Sequence, residues 1–346
     1  MDKLASVVIV TYNHKRYLEP CINSVLRQDY PHEVILLDNC SQDDSAQLVK
    51  ENYPDVKLIE SEENRGYGAG TNTGVSHAIG EYIAILNPDT IVENGWLRNL
   101  VTSLDNRKAL ATSKILSYDG SAINTCGHIN HFTGLTFTRG LGVAPGAYQN
   151  LEEVSGFSGC CFAMRRGDYV ELGGFDESFF LYNEDSDLSW RAHLKGFTIL
   201  FVPTSIVRHD YSLRVSPEKM YHLEKGRYMM LRKFLSWKDF LILSPSLLIV
   251  EFLTFGFALK LGWSGFFYKF RAIKDCLTTK THTVRGDKKN LFRHLSTTIP
   301  VDQLSYNKSE KMFKLFANIV FEWNFGILRF FSGYVKDFKD KKTFNY

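Results

Sequence analysis

A doubly wound α/β domain with a mostly parallel central sheet, extended at its C-terminus by helices, is the fold class this sequence predicts. Three observations carry that prediction. Short β-branched and apolar runs alternate with helical patterns through the N-terminal part of the chain. Those runs are continuously apolar instead of alternating, as expected of parallel strands buried on both faces. Residues 240–259 then form the strongest hydrophobic run, Phe-Leu-Ile-Leu-Ser-Pro-Ser-Leu-Leu-Ile-Val-Glu-Phe-Leu-Thr-Phe-Gly-Phe-Ala-Leu, far from the first set.

Ser6 to Val10 is the first strand. It breaks at Thr11-Tyr12-Asn13-His14, and Leu18, Cys21, Ile22, Val25 and Leu26 recur at helical spacing behind it. Val34 to Leu37 is the second, ending at Asp38-Asn39. Ser41 to Asp44 form a cap-like cluster before a helix from about Ala46. Lys57 to Ile59, the polar loop Glu62 to Tyr67 and a helix near Gly70 to Ala78 make a third unit, and Tyr82 to Leu86 is the fourth strand. That strand runs into Asn87-Pro88-Asp89-Thr90, where Pro88 has no N–H for a ladder and so ends it.

From about Leu110 to Phe162 the pattern changes to short strands and Gly-rich turns. The segment Gly173 to Arg191 carries the acidic group Glu184-Asp185-Ser186-Asp187 at the start of a helix, where negative charge is favoured. Thr198 to Val202 reads as a further strand leading to Arg208-His209-Asp210.

The 346 residues suffice for one sizeable domain and an appendage, or for two domains. A formal net charge of +3 argues against nucleic acid as a partner. The six cysteines have no zinc-site spacing, and Cys160 and Cys161 read as small buried residues on a strand. Met1 to Ala5 opens no signal peptide, so a cytoplasmic, reducing location is expected.

Ligands of open α/β sheets bind in the crevice outside the carboxyl ends of the strands. Thr11 and Asn13, Asp38, the loop Asn64 to Gly70, and Asp89 all converge on that edge. A carboxylate such as Asp38 can accept from a ribose hydroxyl or a base imide, and a Gly-rich loop lets backbone approach phosphates.

The motifs Ile9-Val10-Thr11-Tyr12-Asn13, Leu37-Asp38-Asn39, Asn64-Arg65-Gly66-Tyr67-Gly68, Leu86-Asn87-Pro88-Asp89-Thr90 and Phe179 to Asp187 occur in this order. Over about residues 4–235 the chain thereby resembles the family 2 glycosyltransferases, and within them the rhamnosyltransferase-like members with Asn-Pro-Asp-Thr in place of Asp-x-Asp. The resemblance implies a glycosyltransferase A-type fold with a nucleoside diphosphate sugar lying across the strand ends. It implies that Thr11, Asn13 and Asp38 hold the nucleoside, with Asn64, Arg65 and Gly66 near the ribose and phosphates. Asp89 would bind Mg²⁺ or Mn²⁺ bridging the diphosphate, with His209 as a further ligand. Asn87 stands where the family's first Asp does and lowers the charge there.

The same resemblance makes Asp185 the general base for the acceptor hydroxyl, with Glu184 orienting it. Mutual repulsion among Glu184, Asp185 and Asp187 is expected to raise carboxylate pKa values. One base without a matching carboxylate nucleophile predicts inversion at the anomeric centre. The expected activity is transfer of a hexose, or a deoxyhexose such as rhamnose, from a dTDP- or UDP-sugar to a cell-surface glycan or polyprenyl-linked acceptor. A nucleotidyltransferase would need a basic Gly-rich loop after the first strand, which Thr11 to His14 is not. A catalytically silent nucleotide-sugar binder or scaffold stays open.

Pro245 and Glu251 interrupt the 240–259 run, and basic residues flank both sides. Helices on a membrane surface, packing on the catalytic domain and a true span are the three readings; the first is expected, with the aromatic, basic stretch Met312 to Phe338 in the same role. The predicted organisation is a catalytic domain over 1–235, its nucleotide-binding half 1–100 and acceptor half 101–235, then a helical membrane-associating region over 236–346. The location follows as cytoplasmic and peripheral at the inner face of the membrane, with a homo-oligomer left open.

Overall fold

The computed structural model describes residues 2–105, 107–211 and 213–331. The chain divides into two compact units. One comprises Met1–His128 and Thr138–Ser212, the other Ile129–Phe137 and Leu213–Tyr346. The division after 212 precedes the boundary at 235 expected from sequence, so residues 213–235 belong to the second unit.

The first unit opens as the apolar runs predict, with β1 (Ala5–Thr11), α1 (Lys15–Leu26), β2 (His32–Asp38), α2 (Ser45–Asn52), β3 (Lys57–Glu60), α3 (Tyr67–Ser76) and β4 (Tyr82–Leu86). Then come β5 (Thr90–Val92), α4 (Trp96–Thr102), β6 (Ala109–Ser117), β7 (Ile123–Thr125), the strands β8 (His128–Asn130) and β9 (Thr136–Thr138), whose residues 129–137 count with the second unit, and β10 (Glu152–Glu153), β11 (Cys161–Arg165), α5 (Arg166–Leu172), α6 (Glu184–Leu194) and β12 (Thr198–His209). The main sheet runs β10-β12-β6-β11-β4-β1-β2-β3, with β5 on β12 and β7 on β6. Strands β4, β1, β2 and β3 are parallel, and β11 enters antiparallel between β4 and β6.

Every position of β1 is buried. Val7 and Ile9 pack with Leu36 and Ala84 on one face, Val8 with Ile35, Ile83 and Ile85 on the other. Two buried faces explain the absence of alternation in these strands. The register pairs Thr11 with Asp38, so the two strands end at one level.

Two local readings change. The predicted strand Thr198 to Val202 continues to His209, because a register shift between Val202 and Ile206 absorbs Pro203. The helix after β2 is led in by Asp43, whose Oδ1 accepts from the Ser45 N–H at 3.2 Å, while Asp44 takes a left-handed backbone.

The second unit comprises α7 (Pro217–Phe234), α8 (Trp237–Lys260), α9 (Gly262–Thr278), α10 (Lys288–His294) and α11 (Lys308–Phe331), with the hairpin 129–137 packed among them. Phe132 of that hairpin lies 4.8 Å from Phe325 between ring centres. A capping box of Ser236 and Asp239 starts α8. Glu251 of α8 does not face lipid: it ion-pairs with Arg227 of α7 and, at 3.1 Å, with Lys269 of α9. Ser246 donates to Asn324 of α11 at 2.6 Å. Among the described residues α8 is the one helix long and apolar enough to cross a membrane. Its polar ties bind it sideways to α7, α9 and α11, and its outer face carries Leu241, Leu248, Phe252 and Leu259. Trp263, Phe267 and Phe270 of α9 are likewise exposed, as are Met312, Phe316, Ile319 and Trp323 of α11. The part of the Met312 to Phe338 stretch beyond 331 lies outside the described residues.

Candidate functional site

Three strand ends of the first unit, β1, β2 and β4, supply one edge. Thr11 and Asp38 are buried, and among the described residues Thr11 Oγ1 and Asp38 Oδ1 have no hydrogen-bond partner. The other Asp38 oxygen accepts from the Ser41 N–H at 3.0 Å, which fixes the carboxylate. Asn13 is differently occupied: its Oδ1 accepts from the Gln42 N–H at 2.8 Å, tying the β1 loop to the β2 loop.

The loop 64–66 is held by Asn39, a residue the sequence reading quoted without a role. Asn39 Nδ2 donates to Asn64 Oδ1 at 2.9 Å and to the Gly66 carbonyl at 3.1 Å. Asn64 Oδ1 also accepts from the Gly66 N–H, so this side chain shapes its own loop. Gly66 has φ +89°, and a Cβ there would lie 2.3 Å from the Phe180 carbonyl oxygen, so no other residue fits. Arg65 leaves the edge: its exposed guanidinium ion-pairs with Glu177 at 2.7 Å.

Asp89 and His209 are brought together by the pairing of β5 with β12, which sets Thr90 opposite His209. His209 Nε2 lies 3.3 Å from Asp89 Oδ1, with side chains 6% and 18% exposed. That contact is not aligned as a hydrogen bond, and Asp89 Oδ1 and His209 Nδ1 are both without partners. Burial pushes the Asp89 carboxyl up, but the His209 contact and the charges of His209 and His14 outweigh it and hold the carboxyl below its usual range. His14, another residue without an assigned role, has a buried Nδ1 with no partner. Among the described residues no group of three or more His, Cys, Asp or Glu side chains gathers as a metal site. The Asp89–His209 pair fits a cation that takes its remaining ligands from a bound diphosphate and water.

A chain of backbone bonds connects this corner to the acidic cluster. Asn87 donates its N–H to the Cys160 carbonyl at 2.9 Å, and neighbouring Gly159 donates its N–H to Asp185 Oδ2 at 3.0 Å. Asp185 and Glu184 open α6, and the residues before them, Tyr182 and Asn183, both have positive φ. A strained turn therefore aims the pair. Glu184 is buried with Oε2 unpartnered. Burial first, and repulsion from Asp185 second, push its carboxyl up to about 8. The mutual repulsion expected from sequence is present, but desolvation outweighs it. Tyr67 donates to the Gly159 carbonyl at 2.6 Å, and Tyr211 stacks on His209 at 5.4 Å. Tyr67 lies in the Asn64 to Gly68 motif but has no assigned role there, and His128 and Tyr211 carry no sequence motif that marks them; all three come near Asp185 only in three dimensions.

Residues 6–173 match the family described as Glycosyl transferase family 2. An N-acetylglucosaminyl-diphospho-decaprenol L-rhamnosyltransferase of Mycobacterium tuberculosis is 27% identical over 260 residues, 67% of this chain and 85% of that protein. The rhamnosyltransferase WbbL of Escherichia coli K12 is 24% identical over 256 residues, 68% of this chain and 96% of that one. Among solved structures, a mannosyltransferase from Pyrobaculum calidifontis in complex with GDP-Man and Mn²⁺ aligns with a TM-score of 0.52 at 18% identity, covering 96% of this chain and 88% of that one. The Staphylococcus aureus protein TarS in complex with UDP-GlcNAc gives 0.54 at 19%, covering 96% and 92%. Both have the fold of this chain.

Proposed function

We propose that this chain, whose residues 6–173 match glycosyl transferase family 2, is an inverting enzyme that moves a hexose or deoxyhexose from a nucleoside diphosphate sugar to a hydroxyl of a cell-surface glycan or lipid-linked acceptor. The observation that carries the reading is the orphaned set at the sheet edge: Thr11 Oγ1, Asp38 Oδ1 and Asp89 Oδ1 are buried with no hydrogen-bond partner among the described residues. Buried polar atoms nearly always have one, so a set of exceptions at a ligand-binding edge calls for a ligand.

Thr11 and Asp38 then take the nucleoside, while Asn13 and Asn64 hold the loops that frame it. Gly66 keeps backbone close to the phosphates, and Arg65 serves there only after leaving Glu177. Asp89 and His209 would hold a divalent cation, for which Asn87 contributes no charge. An imidazole ligand suits Mn²⁺ better than Mg²⁺. When bound, such a cation neutralises the leaving diphosphate.

Asp185 takes the acceptor hydroxyl's proton as that oxygen bonds the anomeric carbon, and the bond to the diphosphate breaks with its electron pair leaving on the diphosphate. Glu184, protonated by its burial, adds no second negative charge beside Asp185 near neutral pH. Attack from the face opposite the leaving group inverts the centre.

The acceptor class is supported by the two rhamnosyltransferases, one named for a decaprenol-linked substrate. The exposed apolar stripes of α8, α9 and α11 support a peripheral place at the inner face of the cell membrane, since apolar patches of this kind mark a partner or a membrane. The test is transfer from dTDP- and UDP-hexoses to a polyprenyl-diphosphate-linked sugar, with the product read by NMR. Transfer with inversion is expected; a product with the donor's configuration overturns the mechanism.

A further inference from the structure

The segment 155–159 grips two side chains that face each other. On one side it carries β8: His128 donates its N–H to the Gly156 carbonyl at 2.7 Å, and Ser155 Oγ donates to the His128 carbonyl at 2.9 Å. The approach is tight, because a Cβ on Gly127, at φ +95°, would lie 2.9 Å from the Gly156 oxygen. On the other side Gly159 N–H holds Asp185 Oδ2. The result is His128 Nδ1 3.3 Å from Asp185 Oδ2, with side chains 14% and 13% exposed. His128 Nδ1 is buried and has no hydrogen-bond partner among the described residues.

Asp185 Oδ1 already accepts the Ser186 N–H at 2.7 Å. Each carboxylate oxygen thus has one backbone donor, and Oδ2 has an imidazole nitrogen at contact distance as well. Catalytic hydrogen bonds are often long or misaligned before substrate binds and tighten afterwards. With Asp185 as the general base of the reading above, we propose that His128 is a positioning residue of the transfer reaction, its Nδ1 proton holding the Asp185 carboxylate in its working orientation.

An imidazole in this place does two things. It removes rotational freedom from a carboxylate that has to meet one hydroxyl, and a donor to Oδ2 favours the charged carboxylate that accepts the proton. Among the described residues, Glu184 on α6, Tyr67 on α3 and Tyr211 after β12 also feel the charge of Asp185.

The experiment compares wild type with His128→Ala, His128→Asn and Asp185→Asn in transfer assays across pH 5 to pH 9. Asn places an amide donor where Nδ1 stands, so it tests the hydrogen bond apart from the ring. Expected for His128→Ala is a kcat lower by about 10- to 100-fold, less than the loss from removing the base itself, with the donor KM unchanged and the acid limb of the pH profile moved upward. His128→Asn should recover most of that kcat. Two results overturn the proposal: wild-type kcat and pH profile in His128→Ala, or a loss that His128→Asn fails to recover and that follows a lowered Tm. If Asp185→Asn itself transfers normally, the base assignment fails first, and any effect at His128 has another cause.

Discussion

Two buried polar regions of this molecule look alike in composition and differ in what their groups bond to. In the helical unit, Glu224 of α7 ion-pairs with Arg227 at 2.8 Å and with Lys269 of α9, and Arg227 and Lys269 also reach Glu251 of α8. Arg227 and Lys269 hold the Glu224 carboxyl down to about 2 against its burial. These charges answer one another, although Arg227 Nη1 keeps no hydrogen-bond partner among the described residues. At the sheet edge of the other unit, Thr11, Asp38, Asp89 and Glu184 are as polar and nearly as buried, yet each keeps an oxygen with no hydrogen-bond partner among the described residues. Buried polar groups that pair internally hold helices in register, whereas those left unpaired mark a place built for something else.

The comparison breaks most directly at Asp185. If the edge is catalytic, Asp185→Asn lowers kcat by about 10²- to 10⁴-fold in a transfer assay with little change in donor affinity. In the helical unit the corresponding change is thermodynamic. Arg227→Met leaves Glu224 and Glu251 with less compensation inside the protein and should cost about 3 kcal/mol by denaturant unfolding. Donor affinity per folded molecule should stay as in wild type, and a selective loss of donor binding would erase the distinction between the regions.

A smaller effect is expected at Asp89. Asp89→Asn should remove most of any Mn²⁺-dependent gain in donor-induced thermal stability, because of the two proposed protein ligands Asp89 is the charged one and His209 binds a cation as a neutral imidazole. An undiminished Mn²⁺ effect would move the cation elsewhere.

The smallest change concerns pH. The folded-state pKa of Glu184 lies above its free value of 4.5, so the folded protein holds a proton that the unfolded chain releases. Stability from this group is therefore complete below about 4.5 and falls as pH rises toward about 8. Glu184→Gln should raise Tm, with a gain that grows across that window while activity drops. A gain that shrinks as pH rises would show that Glu184 is charged throughout.

The same contrast explains what the sequence made legible. Parallel strands and their polar ends were readable because β1, β2 and β4 are buried on both faces and stop at turn residues. Thr11, Asp38 and Asp89 could be placed at that edge for that reason, whereas Glu184 and Asp185, at a helix start, were named from the resemblance their motif carries. Asn13, Asn64 and Arg65 share those motifs, yet their side chains bond within the protein, which spacing cannot reveal. His128 and Tyr211 were hidden because their neighbours are distant in sequence: β8 meets Asp185 through the 155–159 segment, and β12 reaches Asp89 only by passing a bulge at Pro203. In the helical unit, Glu251 read as an interruption of a membrane-length run, and it is instead the point where α8 is fastened to α7 and α9.

Calorimetric titration of dTDP- and UDP-sugars in Mn²⁺ against wild type and Asp38→Asn tests the central claim most directly, since Asp38 lies at the orphaned edge and away from the proton transfer. A charge-assisted hydrogen bond is worth about 1.5–3 kcal/mol, so the variant should bind about 10- to 100-fold more weakly at an unchanged Tm. Binding of no nucleoside diphosphate sugar by the wild type, or equal binding by both proteins, would contradict the account.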